Sequence, residues 1–293
     1  MEFNLYLILY AFIIFFIFTI FRFIIRKIRL SKYNLVDKTF LITGGCQGIG
    51  KEIIKILVLQ YKCKIINIDI RNDLFEELSQ IDKTGTQIIN FKCDLSNLED
   101  LSSTCKEIFK KFEKIDFLIN NAGIANNTNF DDLKEEEITK LMNINLIAPM
   151  KLCKLFTDHY LKLNKIHIIT MASVMSHIIA DKSSDYISSK WGLYSFHEAM
   201  RYDYYYNPNI NFTVICPFAV KTGMFPGFTP PLPFIKLLEV EDVARATVDS
   251  IILKDKILFI PFYVEFICLI FNFLPVYLRD SLYFSLSTYY FYF

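Results

Sequence analysis

The sequence predicts an α/β domain, a single doubly wound parallel sheet with helices on both faces, preceded by an N-terminal apolar helix. Three observations point there. Between residues 39 and 260, short β-rich runs alternate with longer amphipathic stretches, the order that βαβ units produce. Several of the short runs (FLIT, IINI, FLIN, HIIT) are apolar at successive positions, as strands are when helices cover both faces of a sheet. The first of these runs leads into a glycine-rich turn that opens a helical stretch, the beginning of a Rossmann-type unit.

The expected strands are 39–43, 64–69, 87–92, 116–120, 166–171, 211–215 and 256–260, and the expected helices 48–60, 73–80, 98–112, 134–163, 183–206 and 241–252. Two regions depart from this rhythm. Residues 223–238 are proline-rich and apolar and read as a loop, with Met224, Phe225, Phe228, Leu232 and Phe234 as material for a lid. Residues 257–278 are apolar but interrupted by Pro261, Glu265, Asn272 and Pro275. The interruptions argue against a spanning helix and for a segment packed on the domain or on a membrane surface.

The ends and the composition bound the function. Residues 3–21 carry no charge, a run nearly long enough to cross a hydrocarbon core, and Arg22, Arg26, Lys27, Arg29 and Lys32 follow it. That flank predicts a retained anchor with everything downstream on the cytoplasmic side. A cleaved signal would place its charges before the apolar run. Asn4 and Thr19 leave open whether the segment spans a bilayer or lies in one leaflet, as on a lipid droplet. The chain thus divides into an anchor and basic flank (1–33), a dinucleotide-binding domain (34–260) and an apolar C-terminal segment (261–293). Its 293 residues, 53% of them hydrophobic and 22% charged, suffice for one large core, and a net charge of +1 offers no case for a nucleic-acid partner. Cys46, Cys63, Cys93, Cys105, Cys153, Cys216 and Cys268 form no CxxC pair. They read as reduced, mostly buried thiols, without a metal.

The glycine-rich turn is TGGCQGIG, with Thr43, Gly44, Gly48 and Gly50 at TGxxxGxG spacing. Glycines permit the tight turn and close backbone approach to a pyrophosphate, which the new helix meets with its N-terminal amides. Asp69 ends the second strand, where a carboxylate bonds the two adenosine ribose hydroxyls and repels a 2′-phosphate. NAD is therefore expected over NADP. Arg71 could face a 2′-phosphate, but reads more simply as an exposed helix-start residue.

Tyr186 and Lys190 stand at i, i+4 on an expected helix and so share a face. An ammonium near a phenol favours the phenolate, and with it acid–base work near neutrality. Ser173 follows the strand HIITMAS, at the edge where doubly wound folds bind ligands, and could hold a substrate oxygen or cap the next turn. Asn120, Asn121, Ala122 and Gly123 (NNAG) form a turn beside the cofactor. Asn145, polar amid apolar neighbours, reads as a buried satisfied amide or as a support for a relay water. His177 reads as a loop histidine without catalytic duty.

Taken together, TGGCQGIG, Asp69, Asp94 in CDLS, NNAG, Asn145, Ser173 and the Tyr186/Lys190 pair resemble the short-chain dehydrogenase/reductase family over residues 38–280. The resemblance implies the following roles. Tyr186 is the acid/base, Lys190 the ribose contact, Ser173 the carbonyl contact and Asn145 the relay. Cofactor contacts come from Thr43, Gly44, Gly48, Ile49 and Gly50, and from Asp69, Asp94 and Leu95. Asn121 helps wall the adenosine site, Ala122, Gly123 and Val220 are further cofactor contacts, and Pro217 and Thr222 hold the nicotinamide side. Phe218 and Ser176 stand where that family often has glycine. DYISSKWGLYSFHEAM, CPFAVKTGM and the late ILFIPFYVEF narrow the resemblance. They are similar to the branch of lipid-droplet and endoplasmic-reticulum 17β-hydroxysteroid dehydrogenases types 11 and 13 and the related retinol dehydrogenases. That branch implies a retinol, steroid or other lipid alcohol oxidised with NAD, and a homodimer. The rival expectations are an NADPH-dependent reductase of lipid ketones and a non-catalytic lipid-droplet or membrane protein that keeps the fold.

Overall fold

The computed structural model describes residues 28, 30, 35–72, 88–225, 227, 230 and 236–288. The apolar helix expected at 3–21, the helix expected at 73–80, and Phe228, Leu232 and Phe234 of the expected lid lie outside the described residues. Among the described residues, no helix is long and apolar enough to cross a membrane.

Seven strands form one parallel sheet: β1 (Thr39–Thr43), β2 (Lys64–Asp69), β3 (Ile88–Lys92), β4 (Phe117–Asn120), β5 (Ile166–Met171), β6 (Ile210–Pro217) and β7 (Ile257–Ile260). Their order is β3-β2-β1-β4-β5-β6-β7. Chain direction across the sheet therefore reverses at β1, which pairs with both β2 and β4. A crevice opens at the C-terminal ends of the strands at such a switch point.

Strand alternation explains the two cores. Phe40 and Ile42 of β1 face one side with Ile65 and Ile119, against α1 (Gly48–Tyr61) and α6 (Val240–Leu253). Leu41 faces the other with Ile66 and Ile68, against α2 (Leu98–Lys111) and α4 (Ala148–Tyr160). Phe40, Leu41 and Ile42 are fully buried, which contributes about 1.5–3 kcal/mol each. The Phe40 ring also stacks on Phe117 of β4, 4.2 Å between centroids. α2 starts and stops by local signals. Asn97 accepts from the backbone N–H groups of Glu99 and Asp100, and Lys110 and Lys111 lie in its last turn.

The helix expected over 134–163 is not continuous. α3 (Glu135–Met142) passes through a π-turn at Asn143–Ile147 into α4. Ala148 N–H bonds five residues back, to Asn143 O, and Pro149 has no N–H to give Asn145. The ladder widens there, a deviation that periodicity alone does not reveal. α5 (Ser184–Asp203) crosses beside it. The apolar C-terminal segment forms α7 (Val264–Phe273) and α8 (Val276–Thr288), and Val264 and Cys268 pack on Val214, Cys216 and Phe259 near the β6–β7 edge. All seven cysteines are free and buried.

Two histidines sit inside the core. His167 Nε2 lies 2.8 Å from Thr213 Oγ1, which itself donates to Asp255 O, and His197 Nδ1 lies 2.8 Å from Thr170 Oγ1. The second nitrogen of each ring is buried without a hydrogen-bond partner. Burial drives the two pKa values down to about 3 and about 4 from an ordinary 6.5. A depressed imidazole pKa stabilises the fold above the unfolded value, and that stability drains away as pH falls from 6.5 through the folded values. Urea unfolding is therefore expected to lose a few kcal/mol between about pH 7.5 and pH 5. Equal midpoints at the two pH values would show that neither ring resists protonation.

Candidate active site

β1 and β4 are locked together at the crevice. Thr43 Oγ1 accepts from Asn121 N and Ala122 N, both at 3.1 Å. Asn121 Nδ2 in turn donates to Thr43 O (3.0 Å) and Gly44 O (3.1 Å). The glycines are required by this closeness. Gly44 has φ +70°, and a Cβ on it would meet Ala122 Cα at 2.9 Å. One on Gly50 would meet Gly44 O at 2.3 Å and Asn121 Nδ2 at 2.5 Å. Gly48 (φ +55°) instead faces Thr222, whose methyl stands 3.6 Å from a Cβ built there. The segment after β6 thus reaches over the phosphate turn.

Gln47 precedes α1 without a side-chain cap, and the first turn of α1 holds no acid. Its leading amides are left for an anion, with the positive end of the helix dipole behind them. The cradle that added Cβ atoms would close, together with these uncapped amides, fits the pyrophosphate of a dinucleotide. Below it, Gly45 N donates to Asn67 Oδ1 (2.9 Å) on β2. Asp69 accepts from Cys46 N (2.9 Å) through one carboxylate oxygen and from Arg71 N (3.0 Å) through the other. Each oxygen keeps a lone pair for a ribose hydroxyl. Arg71 differs from expectation: it is half-buried, and its guanidinium donates to Gln47 Oε1 at 2.7 Å. A cation therefore lies against the phosphate turn. Asp94 is turned on its own loop, Oδ1 accepting from Ser96 N and Ser96 Oγ, with Leu95 buried beside it. Ile49 packs at the margin of the α1–α6 core. Val220 bridges to Leu238, and Pro217 ends β6.

Ser173 lies two residues beyond β5, and its Oγ accepts from Met175 N (3.1 Å). It caps the short turn after the strand, and its hydroxyl favours the ionised form of the Tyr186 phenol. Lys190, on α5 with Tyr186, has its Nζ 5.8 Å from the phenol ring centroid and donates to Met171 O at 2.9 Å. A Cβ on Gly123 would stand 3.4 Å from both Lys190 Nζ and Asn145 Oδ1. The turns after β4 and β5, the π-turn and α5 therefore meet in one place.

Burial dominates the electrostatics of the Tyr186/Lys190 pair. Burial pushes Tyr186 up to about 12, with the Ser173 hydrogen bond pulling the other way. Burial likewise draws Lys190 down to about 8. The site disfavours charge on both groups, because each is removed from water.

Asn145 is fully buried. Its amide hydrogens go to Ile124 O (2.9 Å) and Ser189 Oγ (3.1 Å), and its oxygen accepts from Ile124 N (2.9 Å). A relay water finds only the second lone pair of Oδ1 left. His177 packs against Tyr194 and Phe259.

Three polar links escaped the sequence reading. Asp185 accepts from Tyr186 N (2.7 Å) through one oxygen and from Asn126 Nδ2 (2.6 Å) through the other. Asn127 Nδ2 donates to Met224 O (2.7 Å), tying the loop after β4 to the expected lid. Ser189 Oγ donates to Tyr186 O (2.7 Å). Nothing in the spacing of Asn126 and Asp185, 59 positions apart, marks them as a pair. Of the expected lid, Phe225 sets its ring edge-on to Tyr186, 5.4 Å between centroids, so the phenol is only 5% exposed.

The comparisons agree with this arrangement. Residues 38–231 match the short chain dehydrogenase family. Rat 17-beta-hydroxysteroid dehydrogenase 13 is 29% identical over 245 residues, covering 83% of this chain and 81% of the relative. Mouse epidermal retinol dehydrogenase 2 is 28% identical over 251 residues, covering 83% and 80%. Among solved structures, a short-chain dehydrogenase from Sphingobium yanoikuyae in complex with NADPH superposes with a TM-score of 0.70 at 21% identity, covering 78% of this chain and 89% of that one. A short-chain dehydrogenase/reductase from Burkholderia phymatum in complex with NAD gives 0.69 at 18% identity, covering 78% and 90%. The chain belongs to the short-chain dehydrogenase family, as an oxidoreductase acting on CH–OH groups, and is similar to hydroxysteroid and retinol dehydrogenases of that family.

Proposed function

We propose that the protein uses NAD to interconvert a lipophilic alcohol (retinol, a hydroxysteroid or another lipid alcohol) and its carbonyl. The observation that carries this is the meeting of Ser173, Tyr186 and Lys190 in a buried crevice beside the glycine cradle. In the oxidising direction Tyr186, as phenolate, takes the hydroxyl proton while a hydride leaves the carbinol carbon. A bound oxidised nicotinamide supplies the hydride acceptor and a positive ring charge. Ser173 orients the reacting oxygen. Lys190 would hold the nicotinamide ribose and favour the developing phenolate, and Asn145 ties the Ile124 strap to Ser189 of α5. Thr43, Gly44, Gly48 and Gly50 receive the pyrophosphate, Asp69 the adenosine ribose, and Pro217, Val220 and Thr222 the nicotinamide side. Met224 and Phe225 begin an apolar roof that suits a membrane-partitioned substrate, and Phe225 already excludes water from the phenol.

The charge-free run at 3–21 and its basic flank support a membrane-bound enzyme, at the endoplasmic reticulum or a lipid droplet, with the domain on the cytosolic side. A homodimer is part of the same reading. A second reading, a reductase of lipid ketones using NADPH, takes support from one observation. The Arg71 guanidinium lies on Gln47 of the phosphate turn, where a 2′-phosphate could recruit it.

Tyr186→Phe is expected to lower turnover of a retinoid or steroid alcohol by about 10²–10⁴-fold, with NAD affinity little changed. Undiminished turnover in that variant would refute the assignment. Wild-type protein is expected to bind NAD at least about tenfold more tightly than NADP, and Asp69→Ala to erase the difference by removing the carboxylate that repels a 2′-phosphate. Tighter NADP binding that collapses in Arg71→Ala would install the reductase reading instead. Gly50→Ala should abolish binding of both dinucleotides in a protein that still folds, as followed by calorimetry and circular dichroism.

A further inference from the structure

α7 is apolar but for Glu265 and Asn272, yet the domain covers only one edge of it. Val264 and Cys268 are 2% exposed. On the opposite edge Phe262, Phe266, Leu269, Ile270 and Phe273 recur every three or four residues and are 46–84% exposed. α8 extends the patch with Tyr277, Leu282 and Phe284, 45–72% exposed. A helix that is hydrophobic all round is stable when something apolar surrounds it, and a contiguous exposed patch of this kind marks an interaction site.

The chemistry of the patch selects the occupant. Residues 257–293 hold three charged side chains, Glu265, Arg279 and Asp280, and Arg279 and Asp280 approach each other at 3.9 Å. The chain then runs out as YYFYF. A protein partner calls for a polar rim with hydrogen-bonding groups, which α7 scarcely offers beyond Glu265 and Asn272. Phenylalanine and tyrosine along a short, nearly uncharged helix pair suit the boundary between lipid headgroups and acyl chains. The charge-free run at 3–21 has the same lipid-compatible chemistry at the other end of the chain.

The patch is also fastened to the catalytic crevice. Tyr283 Oη accepts from Asp181 N (2.9 Å) and donates to Asp181 Oδ1 (3.0 Å), in the loop that leads from Ser173 to α5. Phe271 and Arg279 close a small cavity against His177, Ile179 and Trp191, and Trp191 follows Lys190 directly on α5. We propose that α7 and α8 lie in the plane of a lipid surface as a second docking element, separate from residues 1–33, and hold the mouth of the crevice at that surface. The proposal rests on the lipophilic-alcohol reading, since a docked mouth admits a substrate from the lipid without passage through water.

Trp191 is the sole tryptophan and is 39% exposed in the wall of that cavity, so its fluorescence reports on this face alone. The test mixes the full-length protein with phosphatidylcholine vesicles whose acyl chains are brominated near the headgroup. Interfacial helices sink roughly 5–10 Å, so Trp191 emission should fall about two-fold relative to unbrominated vesicles. In the double variant Phe266→Asp/Phe273→Asp the emission should recover, while the protein still floats with the vesicles through its N-terminal run and still binds NAD. A wild type that floats with unquenched Trp191, or a double variant quenched as strongly as the wild type, overturns the proposal. So does a wild-type dimer, unquenched, that the double variant splits into monomers, which would assign the face to a second copy. Alcohol turnover in detergent separates the two readings. Turnover without quenching removes the docking face alone, whereas quenching without turnover leaves docking intact and removes the dehydrogenase assignment.

Discussion

The hydrogen bonds that join the ends of β1 and β4 are the constraint on which the site depends. Thr43 offers one hydroxyl oxygen to two successive backbone amides, and Asn121 returns its side-chain amide to two successive carbonyls. At the switch point the chains leaving these two strands go to opposite faces, so no ladder continues to pair their polar groups. Left unpaired, buried amides and carbonyls cost about 1–3 kcal/mol each. The reciprocal bonds remove that cost and hold the crevice at one width. Gly44 and Gly50 follow from this closeness, because the approach leaves no room for a Cβ.

From that fixed edge the remaining groups arrive by sheet register. β5 pairs with β4, so Ser173 emerges beside NNAG, and α5 returns across the strand ends with Tyr186 and Lys190 facing them. The π-turn widens the helix at the point where Asn145 reaches the Ile124 strap in both directions. Burial then decides the electrostatics: it opposes charge on the phenol and on the ammonium alike. In this environment a charge brought next to the phenol acts with little screening. Phe225, the Asn127–Met224 link and the Asn126–Asp185 link all border the same small volume, which makes the region around the phenol apolar above and polar at its margin.

Much of this was legible before any coordinates. The strands stand where two-sided apolar runs stand, and β1, β2 and β5 have the expected limits. β6 is longer than its apolar run because the parallel ladder with β7 carries on through Cys216 and Pro217. The glycine spacing and the i, i+4 pair were readable because backbone geometry over a few residues dictates them. The break between α3 and α4 was not, since the apolar period runs through it almost undisturbed while the hydrogen-bond ladder shifts by one. Arg71 on Gln47 and Asn126 on Asp185 were equally hidden, because each pair joins separate segments whose nearness depends on the strand order.

Sequence alone determined the alternation that builds a parallel sheet, the glycine turn with an acid one strand later, the tyrosine and lysine on a common helical face, and a C-terminal segment almost without charge. These are local properties, set by dihedral freedom, side-chain period and hydropathy. The tertiary structure decided what each group meets: a lysine held by a strand-end carbonyl, a phenol raised by burial, an arginine laid on the phosphate turn, and a pair of apolar helices half-covered beside the crevice. Those outcomes depend on the packing of segments dozens of residues apart, and solvent exclusion, which sets their energies, exists only once that packing is complete.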